Sequence, residues 1–252
     1  MTQEKTDTLL NIIRYREAGG GMLKCYGEID IEHGSPWIKP RNQEWEAVLS
    51  LAHKRTYKKG AIIDGSESKN FLYYLHRGRV KYSRIDAEGP EKIFWYIDRG
   101  NLFGEVPFWS GKTMENSFTV TENAEIFAFS RACVQHEIMS KHPNLIINML
   151  TSMANKLRVQ SLQNGDFTSL ISRLSRILMY AIGRDHKEIN EGRLECKGVS
   201  QQELANLLGV HRVTLNNAVA QLKREGIIGE MTKKKLVISD CAGLMKHAAK
   251  VQ

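Results

Sequence analysis

The sequence contains no hydrophobic run of about 18 residues, the length that a helix needs to cross a bilayer. It also begins without a basic segment followed by an apolar core, which is the pattern of a secretory signal. We therefore expect a cytoplasmic protein with no membrane partner. Because 42% of its residues are hydrophobic, the chain has the composition of a globular protein. Its 252 residues suffice for one large domain or two ordinary ones.

Cysteine is scarce, and its positions are far apart. The chain has no CxxC pair, so it shows neither a disulfide framework nor a cysteine-rich metal site. The four cysteines are Cys25, Cys133, Cys196 and Cys241. Histidine is scattered as well, and no HxH pair occurs. A cupin-type metalloenzyme needs histidines and a carboxylate that converge on a metal. The sequence therefore predicts no metal site and no enzyme, and a cupin-like enzyme remains a remote alternative.

The net charge of +8 is spread unevenly along the chain. Most of it lies after residue 170, while the preceding part is close to neutral. A basic C-terminal third on a near-neutral body favours a polyanionic partner for that third. The alternative is an ordinary solvated basic surface, so the charge serves as supporting evidence only.

The most informative stretch runs from Ser200 to Glu225. Apolar residues at helical spacing, beginning with Leu204, predict a first helix. Gly209 then allows a sharp turn, because glycine adopts positive φ without strain. A second helix follows, with a stripe of apolar residues that ends at Leu222. This pattern predicts a helix-turn-helix, although an ordinary αα-hairpin would look similar.

Polar side chains at the start of the second helix can reach base edges when that helix lies in a major groove. Downstream, two apolar runs, 226–228 and 236–239, flank three lysines, as in a wing hairpin whose basic tip meets phosphate. The lysines could also be merely solvated. The predicted DNA-binding residues are Gln201, Arg212, Val213, Thr214, Asn216, Asn217, Arg224, Lys233, Lys234 and Lys235.

Between Trp37 and Arg131 the residue pattern differs from that of the helix-turn-helix. Short runs of β-branched and aromatic residues alternate there with glycines, which is typical of a β-sandwich or jelly-roll barrel. Gly78 is expected at one turn and Asp86–Gly89 at a hairpin tip. The chain divides into an N-terminal extension (1–36), an effector-binding barrel (37–142), a dimerisation helix with hinge (143–165) and a winged helix-turn-helix domain (166–252).

A long apolar seam follows Pro143. Its members recur every three to four residues, which suits a helix that pairs with a copy of itself. The predicted dimerisation residues are Ile146, Leu150, Met153 and Leu157. The alternative is a helix buried against its own barrel. Asn164–Asp166 is a candidate hinge, a helix is expected over 168–182, and residues 183–197 are expected to form a loop.

This order of parts resembles the Crp/Fnr transcription regulators from about Glu44 to Ala249. The likeness is carried by KKGAIIDGSESKNFLYYLHRGRVKY, by IDRGNLFGEVPFWSG and by the helix-turn-helix. It implies an α+β protein with an N-terminal double-stranded β-helix (a jelly-roll like that of cyclic-nucleotide-binding domains), a long dimerisation helix and a C-terminal winged helix-turn-helix. It also implies double-stranded DNA, a second copy of the chain and a small-molecule effector as partners, with RNA polymerase added if the protein activates transcription.

The resemblance also bears on the effector. Members that bind cyclic nucleotides neutralise the phosphate with an arginine, and none stands at the matching place around Asn116. Lys112 is the nearby cation in the sequence, and a lysine does not form a bidentate clamp. We therefore expect an effector other than cAMP, with a cAMP-responsive regulator or a vestigial pocket as alternatives. The predicted effector residues are Tyr82, Phe94, Tyr96, Phe103, Gly104, Glu105, Lys112 and Ser117.

Within the DNA-binding part, Gly209–Thr214 resembles the halorespiration regulators of the CprK type, which respond to chlorinated aromatic compounds. That likeness makes a chlorinated phenol a candidate effector, with no cofactor required. Many family members carry a glutamate where Val213 stands, and that glutamate reads a G·C pair. Valine cannot accept a hydrogen bond from cytosine but can pack on a thymine methyl group. We therefore expect a palindromic, A·T-rich operator.

Overall fold

The computed structural model describes residues 35–63, 65–85, 91–163, 169–184, 186–190 and 193–249. Several predicted features lie outside these ranges. They are the extension up to residue 34 with Cys25, the hairpin tip Asp86–Gly89, and the hinge Asn164–Asp166.

The N-terminal domain is a barrel-like sheet of seven strands. Its main path runs β1-β5-β4-β7-β2, with β3 on β7 and β6 on β4, and every pairing is antiparallel except β1 with β5. The strands are β1 (Trp37–Ile38), β2 (His53–Tyr57), β3 (Ile62–Ile63), β4 (Phe71–Ile85), β5 (Glu91–Asp98), β6 (Asn101–Phe103) and β7 (Ser117–Ser130). Short helices join them: the 3₁₀ helix α1 (Gln43–Leu51), α2 (Gly65–Ser68) and α3 (Glu105–Ser110).

Gly78 does not form the turn that we expected there. It lies within β4, where the pairing with β7 is irregular, and its φ is +91°. A Cβ at this position would lie 2.4 Å from the backbone oxygen of Asn123. Glycine therefore permits the close approach that lets β4 run on as one strand of 15 residues.

Helices connect the two domains. The segments α4 (Arg131–Cys133), a π-helical turn (Val134–Ile138) and α5 (Met139–Lys141) follow the last barrel strand. They lead into α6 (Pro143–Gln163), the longest helix of the part of the chain that the structure describes. One face of α6 is buried against the barrel through Leu145, Met149, Ser152, Lys156 and Val159.

The C-terminal domain combines four helices with a four-stranded sheet of order β10-β11-β9-β8. The helices are α7 (Leu170–Arg184), α8 (Gln201–Leu208), α9 (Arg212–Arg224) and α10 (Cys241–Ala249). The strands are β8 (His186–Asn190), β9 (Arg193–Lys197), β10 (Ile228–Met231) and β11 (Lys235–Ile238). The predicted loop over 183–197 was therefore wrong, because most of it pairs as the hairpin of β8 and β9.

Two of the three hydrophobic clusters belong to the barrel and to its contact with α6. The third is the core of the C-terminal domain, and it also includes Trp37, Ile93 and Tyr96 from the barrel edge. The two domains of one chain therefore share a continuous apolar contact along β5.

Candidate DNA-binding interface and effector region

Local sequence signals set the geometry of α8 and α9. The Ser200 hydroxyl accepts a hydrogen bond from the Glu203 backbone N–H at 3.1 Å, which caps the start of α8. Gly209 ends α8 with φ +65°, in the left-handed region. The chain then re-enters a helix at Arg212, and the two helices form the predicted helix-turn-helix.

Helix α9 presents its polar face to solvent. Leu215, Ala218, Val219 and Leu222 are buried on the opposite face. The exposed residues are Arg212, Val213, Thr214, Asn216 and Asn217 near its start and Arg224 near its end. Val213 is 72% exposed and lies among these polar side chains. The structure thus brings the predicted base-contacting residues together on one accessible surface.

Gln201 lies beside this surface rather than on it. Its side-chain oxygen accepts a hydrogen bond from Nη2 of Arg212 at 3.3 Å, and the residue is half-buried at the start of α8. Gln201 can therefore orient the Arg212 side chain.

The three lysines of the predicted wing have different environments. Lys233 and Lys234 are exposed in the turn between β10 and β11. Lys235 is the first residue of β11, where its amine pairs with Glu195 at 2.9 Å and with Glu230 at 3.7 Å. The hydrogen bond to Glu195 raises the pKa of Lys235. Lys235 therefore links the strands of the wing, whereas Lys233 and Lys234 are exposed at its tip.

Two of the predicted effector residues, Tyr82 and Phe103, fill the barrel interior. The Tyr82 ring stacks on Phe118 at 4.8 Å and on Trp95 at 5.1 Å, measured between ring centroids. Its hydroxyl group is held by Asn116 Nδ2 at 2.6 Å, and burial raises its pKa. Phe103 stacks on Tyr73 at 5.1 Å. Ser117 is half-buried and Lys112 is exposed.

Glu105 has a partner that sequence reasoning missed. It begins α3 directly after Gly104, and its carboxylate accepts a hydrogen bond from Lys156 Nζ at 2.5 Å. Lys156 reaches in from α6 and also donates to the Leu102 carbonyl oxygen at 2.7 Å. Both side chains are less than 10% exposed. The counter-charge for Glu105 is therefore the buried Lys156.

A bulge in β5 makes this strand a wall shared by both domains. Tyr82 pairs with Trp95 and Ser83 pairs with Ile93, so Phe94 is the extra residue between them. Phe94 packs with the barrel cluster, whereas Ile93 and Tyr96 belong to the core of the C-terminal domain. The assignment of Tyr96 to the effector pocket is therefore not supported by its position: its hydroxyl donates to Glu203 Oε1 of α8 at 2.8 Å.

Polar contacts reinforce this connection between β5 and α8. Lys92 Nζ donates to the Leu207 carbonyl oxygen at 2.8 Å, at the C-terminal end of α8. Asn206 Nδ2 donates to Glu91 Oε2 at 3.1 Å. With the bond from Tyr96 to Glu203, three residues of β5 hold the first helix of the helix-turn-helix. We call these contacts the β5–α8 clamp.

Lys92 makes this clamp sensitive to pH. Burial, with a smaller contribution from the charge of Arg173, lowers the pKa of Lys92 from 10.5 to about 8. Between these values the folded chain has released a proton that the unfolded chain still holds, so the free energy of unfolding gains a contribution that rises with pH. The contribution is complete above pH 10.5 and is lost as the pH falls through 8.

Urea denaturation at several pH values between 7 and 10.5 would measure this contribution. We expect the free energy of unfolding of wild type, relative to Lys92→Met, to increase as the pH rises from 8. Lys112→Met, at an exposed position, should follow wild type throughout. If the difference in free energy of unfolding between wild type and Lys92→Met did not change with pH, Lys92 would not be the source of the pH dependence.

A cavity of about 150 Å³ lies where the barrel edge, α6 and α7 meet. We call it the junction cavity. Its walls come from Ser35, from residues 37–41, from Asp98, from α6 between Ser152 and Val159, and from Tyr180 and Gly183 of α7. The predicted effector residues are not among the residues that line it.

The outer face of α6 carries a row of exposed apolar side chains. Ile147, Leu150 and Leu157 are 66%, 55% and 63% exposed. Of the four predicted dimerisation residues, Leu150 and Leu157 belong to this row. Ile146 and Met153 are half-buried and pack on the chain's own hydrophobic cluster, so they are shared with the barrel. Ile147, which the sequence analysis missed, completes the row. We call Ile147, Leu150 and Leu157 the α6 stripe.

Other functional features are absent from the parts of the chain that the structure describes. Over these ranges, no group of three or more His, Cys, Asp or Glu side chains is arranged to hold a metal ion. In the same ranges, no helix is both long and apolar enough to span a bilayer.

Two family models match the chain, one on each domain. Residues 54–141 match the cyclic nucleotide-binding domain, and residues 172–247 match the Crp-like helix-turn-helix domain. The cAMP-activated global transcriptional regulator CRP of Salmonella typhimurium is 24% identical over 202 residues, which cover 77% of this chain and 92% of that protein.

Solved structures show the same fold. The structure of OCPA-complexed CprK superposes with a TM-score of 0.65 at 20% identity and covers 84% of this chain and 97% of that chain. The c-di-GMP-responsive regulator CLP of Xanthomonas campestris superposes with a TM-score of 0.64 at 18% identity and covers 77% and 97%. The expected α+β architecture of barrel, long helix and winged helix-turn-helix is therefore confirmed.

The matching domains occur in one order and together span more than half of the chain. The chain combines an effector domain with a DNA-binding domain, and the family is one of regulators rather than enzymes. This protein belongs to the Crp/Fnr family of transcription regulators.

Proposed function

We propose that the protein is a homodimeric transcription regulator that binds a palindromic, A·T-rich operator under the control of a small-molecule effector. The observation that carries the proposal is the exposed face of α9, where Arg212, Thr214, Asn216 and Asn217 surround an exposed valine. These side chains offer the donors and acceptors that read base edges. Arg224, Lys233 and Lys234 would contact phosphate, and RNA polymerase would be a further partner if the protein activates transcription.

The α6 stripe supports the dimer. Leu150 and Leu157 are seven residues apart, the heptad spacing of helices that pair side by side, and Ile147 lies one turn before Leu150. Two α6 helices paired along this row would give the dimer a two-fold axis. A symmetric dimer reads two half-sites about 34 Å apart, which is one turn of B-DNA.

The β5–α8 clamp provides the route from effector to DNA. Phe94 and Trp95 face the barrel interior, while Ile93 and Tyr96 on the same strand pack against the DNA-binding domain. An effector that shifts β5 from inside would therefore change the position of α8. The effector must bind one arrangement more tightly than the other, because a ligand shifts an equilibrium only by its differential affinity.

The effector class is open to a direct test. The relatives include cAMP-activated and c-di-GMP-responsive regulators and a structure complexed with OCPA. Here the carboxylate of Glu105 is paired with Lys156 and the barrel is filled by aromatic rings, which favours a compact, ring-sized effector over a nucleotide. We would measure operator binding at fixed salt with halogenated phenols, cAMP and no additive.

An increase in operator affinity with a halogenated phenol alone would support the proposed effector class. Equal affinity under all conditions would favour a regulator with a vestigial pocket. An increase with cAMP alone would contradict the preference against a nucleotide, which rests on the missing arginine and on the occupied Glu105.

Val213 should determine the preference at one base pair of the half-site. Val213→Glu places a carboxylate where a thymine methyl group would pack, and a carboxylate accepts a hydrogen bond from cytosine instead. We expect the variant to bind the wild-type operator about 1–3 kcal/mol more weakly and to prefer a G·C pair at that position.

Competition binding with operators changed at single positions would measure this preference. Ile85→Glu, an exposed substitution on the barrel, is the matched control and should leave the preference unchanged. Loss of affinity that is equal for all operator sequences would assign Val213 a role other than base reading.

A further inference from the structure

The face of α6 that is buried against the barrel is partly polar. Three of its buried side chains are apolar, and the other two are Ser152 and Lys156. Turning α6 by one residue position, about 100° about its own axis, would bring different side chains to these places. They would be Ile146, Leu150, Met153, Leu157 and Gln160. Four of these are apolar, so apolar burial alone does not favour the observed rotation of α6.

This turned arrangement would also remove the α6 stripe from the surface. The places of its three residues would be taken by Asn148, Thr151 and Arg158. Leu150 and Leu157 would then be covered by the barrel of their own chain. A single chain could therefore bury the side chains that the proposed dimer needs, unless other contacts exclude the turned arrangement.

Asn42 makes contacts that depend on the rotation of α6. It precedes α1, where asparagine commonly caps a helix, but its side chain makes no cap hydrogen bond. The amide is buried and faces α6 instead. Its Nδ2 donates to Asn148 Oδ1 at 2.7 Å, and its Oδ1 accepts hydrogen bonds from the Ser152 hydroxyl at 3.1 Å and the Leu102 backbone N–H at 3.0 Å. Asn148 Nδ2 donates in turn to the Arg41 carbonyl oxygen at 2.9 Å.

The polar residues of α6 that face this amide lie on successive turns. Asn148, Ser152 and Lys156 are four residues apart, and Lys156 Nζ donates to the Leu102 carbonyl oxygen. We call these three residues and Asn42 the α6 hub. In the turned arrangement the three places would be held by Met149, Met153 and Leu157. The amide of Asn42 and the peptide groups of Leu102 would then lie against apolar side chains, and buried polar groups without partners are costly.

We propose that the α6 hub positions α6 for dimerisation: it fixes the rotation of the helix so that Leu150 and Leu157 face a second copy of the chain and not their own barrel. Asn42 is its central positioning residue, because it bonds two turns of α6 and the backbone of β6 at once. The inference rests on the proposed homodimer.

Sedimentation equilibrium of Asn148→Ala and Ser152→Ala, singly and together, would test this role. Both substitutions remove hub contacts and leave the α6 stripe unchanged, and alanine favours the helix. The Kd of the dimer should rise as fewer chains keep the observed rotation. We expect a rise of roughly threefold for Ser152→Ala and roughly tenfold or more for the double variant.

Asn155→Ala is the matched control. It removes the same type of side chain from the same helix, but the Asn155 amide donates to the Thr151 carbonyl oxygen of α6 itself. This variant should dimerise like wild type. Thermal melting of each variant would show that it is folded.

Thiol labelling of Val159→Cys reports the rotation of α6 without requiring a dimer. Val159 is 5% exposed, and in the turned arrangement it would take the exposed place of Arg158. The new thiol should be protected when the hub is intact and labelled in the Asn148→Ala/Ser152→Ala background. Val120→Ala, in the barrel core, controls for general loss of stability and should leave the thiol protected.

A thiol that stays protected in the double variant would overturn the proposal. So would a dimer Kd that stays at the wild-type value, or one that rises equally in Asn155→Ala. A monomeric wild type would contradict the proposed homodimer, and the labelling would still show whether the hub sets the rotation of α6.

Discussion

Leu150→Glu combined with Leu157→Glu should convert the protein from a dimer into a monomer. Both side chains are exposed in the single chain, and pairing of two α6 stripes would bring the new carboxylates close to one another in an apolar contact. Like charges so placed oppose association. In a dimer, binding of one half-site holds the second DNA-binding domain close to the other half-site, and a monomer loses this gain. Operator affinity should therefore fall roughly 10²- to 10⁴-fold.

Analytical ultracentrifugation would measure the oligomeric state, and anisotropy with a labelled operator would measure the affinity. Ile62→Glu combined with Ile85→Glu provides the matched control. These isoleucines are as exposed as the leucines but lie on barrel strands. The control should remain dimeric with wild-type affinity. A dimeric Leu150→Glu/Leu157→Glu protein would show that the α6 stripe is not the interface.

Lys156→Met should cause the largest loss of stability among the substitutions that we propose. It leaves the Glu105 carboxylate buried without its partner, and removing one member of a buried ion pair costs about 3–5 kcal/mol. The loss should be largely reversed in Glu105→Gln/Lys156→Met, since that double variant no longer buries a charge. Chemical denaturation of the single and double variants, together with Glu105→Gln, forms a complete double-mutant cycle.

An exposed ion pair in the helical segment before α6 gives the comparison. Lys141→Met breaks the pair between Lys141 and Glu137, whose side chains are 64% and 41% exposed. It should change the free energy of unfolding little, because water replaces the lost partner. If Lys156→Met were as mild as Lys141→Met, the pair with Glu105 would contribute little to the fold, and Glu105 would be available to an effector.

The helix-turn-helix could be predicted because its signals are local. Ser200 caps α8, Gly209 ends it, and the apolar positions of α9 recur at helical spacing within a short stretch. The same periodicity separates the buried positions of α9 from the exposed ones. For this reason the predicted base-contacting residues all appear on one face.

The sequence was least informative where pairing is distant along the chain. Lys156 lies 51 residues from Glu105, so nothing local in the sequence indicated that it would pair with this carboxylate. Lys235 follows two wing lysines, but its position beside Glu195 depends on the register of β9 with β11. Ile146 and Ile147 are adjacent and equally apolar, and which of them faces outward depends on how α6 rotates against the barrel.

The β8–β9 hairpin was missed for a different reason. Its strands are short and mostly polar, as in HKEIN, and they lack the β-branched runs that identify a strand in isolation. They form because β9 pairs with the apolar strand β11, whose Leu236 lies opposite Cys196. The strands therefore depend on tertiary pairing and cannot be identified from the local sequence.

Selection of random duplex DNA on the purified protein, at fixed and near-physiological salt, tests the central claim most directly. The salt must be fixed, because phosphate contacts make the affinity depend on it steeply. A homodimer with two α9 helices should enrich an inverted repeat with A·T-rich half-sites whose centres lie about 34 Å apart. Enrichment of single half-sites, or of no sequence with or without the candidate effectors, would contradict the assignment of a dimeric operator-binding regulator.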